Sequence, residues 1–132
     1  MSVAVAVNQN QLPNAIDHMQ NQFCVDGTLT LSGNYGGGAT HGDTMDLTGV
    51  CPTDQVPNRV EIFEAPTAGN APTGYVFVYA PGTKISNGLL VVMQGQGSAA
   101  PLLEITEGSA YPAALTAATA NIKFRAWLTK FV

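Results

Sequence analysis

Polar and apolar residues alternate with a period of two along much of the chain, and helical spacing is scarce. Thr28-Leu29-Thr30-Leu31-Ser32, Thr44-Met45-Asp46-Leu47-Thr48 and Val60-Glu61-Ile62-Phe63-Glu64 each predict a half-buried strand. Gly74-Tyr75-Val76-Phe77-Val78-Tyr79 sets three aromatic rings on one face and Val76 and Val78 on the other. Both faces of that strand are expected to be covered, as inside a two-layer structure. In the last strand, Asn121 to Leu128, Ile122, Phe124, Ala126 and Leu128 share one face, and Lys123, Arg125 and Trp127 share the other.

Punctuation between these runs is dense, with 14 Gly and 8 Pro scattered along the sequence. Asn87-Gly88 lies between β-prone runs and predicts a tight type I′ turn, because both central residues of that turn need positive φ. Asp26-Gly27 predicts a second hairpin or a bulge. Leu12, Ile16, Met19 and Phe23 allow at most a short helix near residues 13–21, and Pro112 to Thr119 reads equally as one helical turn or a loop. The expected fold is all-β: a single-domain β-sandwich or jelly roll of about 7–8 short strands. Residues 12–132 form that domain. Residues 1–11 form an apolar N-terminal arm expected to order on a partner, since no core contact can be assigned to it.

Charge changes the picture from fold to use. The 132 residues carry 5 Lys+Arg against 9 Asp+Glu, a formal net charge of −4, and charged residues make up 11% of the chain. About 25% is usual, so charges are spaced roughly one per 470 Å² of surface rather than about one per 200 Å². A surface so poor in ions suits a subunit packed against others, because burying Thr or Ala in an interface costs far less than burying a charge. It also suits a small monomer kept soluble by its −4. The first 58 residues contain no Lys or Arg, which argues against direct nucleic-acid binding. No window is apolar for long enough to span a membrane, and the Met1–Val7 start lacks the basic segment of a secretory signal, so a product made and kept in a cytosol is expected. Cys24 and Cys51 have no Cys-x-x-Cys spacing and are expected as small buried hydrophobes rather than a pair.

No motif carries catalysis. Gly95-Gln-Gly-Ser-Ala-Ala100 matches the dinucleotide-binding pattern, yet Pro101 and a strand follow where that chemistry needs a helix, so a hairpin loop is expected. Ser32 to Gly42 is glycine-rich but lacks the Gly-Lys-Ser/Thr ending of a phosphate loop. His41, Asp43 and Asp46 fit no metal-ligand spacing, and Glu61 and Glu64 lie three apart on a strand and so point to opposite faces, as Glu104 and Glu107 do if their strand continues. No enzymatic activity, cofactor or metal is expected. The least ordinary feature is charge placement: Lys123, Arg125 and Lys130 cluster beside Trp127 and Phe131, while the first 58 residues hold only acids. These five residues are the candidate interface, docking the outer face of the last strand on an acidic neighbour; the competing reading is an ordinary solvated face.

Val25-Asp-Gly-Thr-Leu-Thr-Leu-Ser-Gly33, His41-Gly-Asp-Thr-Met-Asp-Leu-Thr-Gly49, Gly74-Tyr-Val-Phe-Val-Tyr-Ala-Pro-Gly-Thr83, Ala110-Tyr-Pro-Ala113 and Ile122-Lys-Phe-Arg-Ala126 resemble the small head proteins of tailed bacteriophages, over residues 22–131. The resemblance implies a decoration or cement protein on the capsid exterior of the virion, made in the host cytoplasm. Its implied partners are the major capsid protein and further copies of itself, as a dimer or trimer bridging capsomers. It implies no catalytic or metal residue. Two other readings stand beside it: another virion part, such as a head fibre, tail or receptor-binding module, and a stand-alone ligand-binding β-sandwich.

Overall fold

The computed structural model describes residues 3–7, 22–36, 41–49 and 55–129. The short helix expected near residues 13–21 lies outside them. Among the described residues, eight strands and one helical turn follow in chain order: β1 (Val3–Val7), β2 (Gln22–Leu31), β3 (Asp43–Met45), β4 (Arg59–Glu64), β5 (Val76–Ala80), β6 (Gly88–Gln94), β7 (Leu103–Glu104), α1 (Ala113–Thr116) and β8 (Ile122–Thr129). Every pairing is antiparallel. One sheet runs β1-β2-β8-β4; in the other, β6 pairs β5 on one side and both β3 and β7 on the other. The chain is an all-β sandwich, as its period-two pattern predicts.

Alternation decides which side chains enter the core. On β8, Ile122, Phe124, Ala126 and Leu128 are each at most 1% exposed, opposite Val25 and Leu29 of β2 and Val60 and Ile62 of β4. The second sheet contributes Met45, Phe77, Leu90 and Val92. Tyr35, Leu47, Ile85, Ile105, Tyr111 and Leu115 complete the same cluster, with Leu115 supplied by the single turn of α1.

Four expectations change. Val3–Val7 pairs in register with Gly27–Leu31 and Val3 is fully buried, so over these residues the expected arm is instead an edge strand of the first sheet. Asp26-Gly27 is neither a hairpin nor a bulge. Register runs unbroken through it on both sides, Gly27 opposing Val7 and Phe124, and a Cβ there would collide with the Ala6 carbonyl and the Phe124 ring. Asn87-Gly88 is not a two-residue turn either: β5 and β6 do form a hairpin, but its loop spans residues 81–87 and neither residue has positive φ. The Asn87 side chain closes that loop, accepting from the Lys84 N–H at 2.8 Å and donating to Thr83 Oγ1 at 2.9 Å. Gly88 is required because the Tyr79 side chain crosses the space where its Cβ would sit. Finally, β5 is an edge strand whose valine face is open: Val76 and Val78 are 42% and 44% exposed.

Candidate functional site

The outer face of β8 holds two of the cations expected there, Lys123 and Arg125, and Arg125 is engaged within the chain. Arg125 makes a bidentate ion pair with Asp26 of β2, Nε to Oδ1 at 2.6 Å and Nη2 to Oδ2 at 2.9 Å, because antiparallel pairing sets the two residues opposite each other. Those bonds hold the guanidinium more firmly protonated than usual. Arg59 of β4 lies 5.1 Å above the Trp127 ring and also pairs with Glu61. Lys123 sits on the same face between Thr28 and Phe63. Lys130 and Phe131 lie outside the described residues, as does Cys51, while Cys24 is half-buried opposite Trp127. One acid of the first half, Asp26, and one cation of the basic end, Arg125, thus neutralise one another across β2 and β8.

The outer face of the second sheet is different in kind. Three successive cross-strand pairs of β5 and β6, Val76 with Met93, Val78 with Val91 and Ala80 with Leu89, form a continuous apolar wall. In an antiparallel sheet the face away from the core is ordinarily polar. Lys84 is the only ionic side chain between Glu64 and Glu104, a stretch that contains both strands. Beside this wall, the free edges of β4 and β5 enclose a groove of about 420 Å³ lined by Val60, Glu61, Ile62, Phe63 and Phe77 to Tyr79, with Phe63 39% exposed. Glu61 is the one ionic side chain among these lining residues.

A polar cluster borders the wall at the β7 end. Hydrogen bonds from Tyr35 N to Ser109 O (2.8 Å), Gly108 N to Tyr35 O (2.7 Å) and Tyr111 N to Gly33 O (3.1 Å) join residues 33–35 to residues 108–111. This brings His41 Nδ1 to 2.8 Å from Glu104 Oε2, while Glu107 Oε1 accepts the Gly42 N–H at 3.1 Å. Glu104 Oε1 accepts a 2.6 Å hydrogen bond from the hydroxyl of Tyr35, a fully buried residue. Burial, then that bond, pushes the Tyr35 phenol far above its ordinary pKa, so it remains a donor. His41, Glu104 and Glu107 each bring a ligand atom within 4.8 Å of the others and are the group able to hold a metal among the described residues.

The acids near His41 in sequence, Asp43 and Asp46, are not its partners in the fold. Asp43 is buried and accepts from the Tyr111 hydroxyl at 2.7 Å, and Asp46 accepts from the Thr48 N–H at 2.9 Å. Glu104 and Glu107 would face opposite ways only on a continuing strand; β7 ends at Glu104 and the chain turns, bringing Glu107 to the same side. The early stop of the strand and the turn at Gly108 are the local signals for this convergence.

No family model, curated protein or solved structure matches this chain.

Proposed function

We propose that this protein is a structural, adhesive subunit of a tailed-phage head: a decoration or cement protein that binds the capsid exterior and stabilises the shell by bridging capsomers. The supporting observation is the uncharged wall of Val76, Val78, Leu89, Val91 and Met93 on the outside of the second sheet. An apolar, ion-free face can be buried against a protein lattice without the cost of desolvating charge. The resemblance of residues 22–131 to small head proteins supports the setting. The β8 face, whose Arg125 and Trp127 already have partners inside the chain, supports docking less well. The mechanism is binding free energy repeated over a symmetric shell, which stabilises the assembled state because the ligand is bound only there.

The test is co-sedimentation with purified decoration-free heads, followed by heating. Wild-type protein and Arg125→Ala/Trp127→Ala bind and raise the temperature of head disruption. Val76→Glu/Val78→Glu, which places charges at two half-exposed positions, loses binding at least tenfold while remaining folded. Full binding by the glutamate variant, or absence of wild-type binding, overturns the proposal.

A further inference from the structure

We propose that His41, Glu104 and Glu107 form a binding site for a divalent cation of the zinc class. The donor set comes first. One imidazole nitrogen and two carboxylate oxygens lie within 4.8 Å of one another, and the His41 side chain, 89% exposed, has room to adjust toward the roughly 2.0–2.2 Å bonds that zinc makes. A mixed nitrogen and oxygen set selects zinc, cobalt or nickel over magnesium and calcium, which favour all-oxygen sites.

Charge makes the second argument. Two carboxylates converge here, and neither forms an ion pair with a lysine or arginine among the described residues. The imidazole is the only ion-pair partner that the cluster supplies, and a divalent cation compensates both acids at once.

Orientation makes the third. The buried Tyr35 hydroxyl holds Glu104 by Oε1 and leaves Oε2 turned to His41, while the Gly42 N–H holds Glu107 by Oε1. Such outer hydrogen bonds are what fix carboxylate ligands in metal sites. The backbone bonds between residues 33–35 and 108–111 make the platform rigid. A bound ion links the strand that follows His41 to the turn that follows β7. Gly42, next to His41, packs close to Leu89 and Val91, so the ion also fixes the margin of the apolar wall. Three protein ligands leave a coordination position for water.

The experiment is calorimetric titration of the full chain with zinc chloride in chelator-treated buffer, with cobalt(II) absorption as a second readout. The expected result is one ion per chain, a Tm rise on the order of 5–10 °C at about a hundredfold excess over Kd, and none with magnesium chloride. His41→Ala, at an exposed side chain, keeps the wild-type circular dichroism spectrum, weakens zinc at least tenfold and abolishes the visible cobalt bands; Glu107→Gln weakens zinc by a similar factor. The proposal is overturned if no ion binds, if magnesium acts as well as zinc, or if His41→Ala binds zinc as tightly as wild type.

Discussion

The ring of Phe124 on β8 occupies the space that a side chain on Gly27, its partner on β2, would fill. A glycine in a central strand ordinarily weakens it. Here the missing Cβ lets a fully buried phenylalanine cross the strand and lets the Ala6 carbonyl of β1 approach.

Gly27→Ala is therefore expected to destabilise the fold by about 1–3 kcal/mol through overpacking against both neighbours. Urea unfolding measures this. An unchanged midpoint contradicts the packing described for β1, β2 and β8.

Tyr79 presents the opposite case. Its hydroxyl is buried at Gly88 without a hydrogen-bond partner among the described residues. Removing an unpaired buried polar atom recovers its desolvation cost, so Tyr79→Phe is expected to be neutral or to stabilise by up to about 1 kcal/mol. A loss of stability in thermal unfolding contradicts this.

Tyr111→Phe has the reverse sign. It strips the buried Asp43 carboxylate of a 2.7 Å hydrogen bond and is expected to cost about 1–3 kcal/mol. Comparing the two Tyr→Phe variants in one assay separates the paired hydroxyl from the unpaired one.

Asp46 sets a pH dependence. Hydrogen bonds from the Thr48 hydroxyl and N–H hold its carboxyl below the ordinary carboxylate range. The folded state thus binds this proton less readily than the unfolded chain does. Its contribution is complete above the unfolded value and disappears as pH falls through the folded one. Asp46→Asn should flatten the stability profile slightly below about pH 4, the effect being small because the group is exposed. An identical acid limb in the two proteins refutes the assignment.

What could be read in advance was whatever repeated locally. Ile122, Phe124, Ala126 and Leu128 announce β8 and its buried face through spacing alone. Gly27 and Gly88 misled because glycine serves two ends: it permits positive φ, and it clears room for another side chain. Only the presence of Phe124 and Tyr79 decides between them. The run between Glu64 and Glu104 carries Lys84 as its sole charge, but alternation along β5 does not tell that the Val76 and Val78 face stays open, because that depends on what packs against it. The meeting of His41 with Glu104 spans 63 positions and depends on how two loops are tied together, which no periodicity encodes.

The sandwich has one wettable side, carrying Asp26, Arg125, Glu61 and Arg59, and one dry side, carrying Val76, Val78 and Met93. A slab built this way has a right way up at any boundary between water and something less polar. Spread at an air–water film, it should settle with β5 and β6 toward the air, so that particles on a microscope grid share a single dominant view.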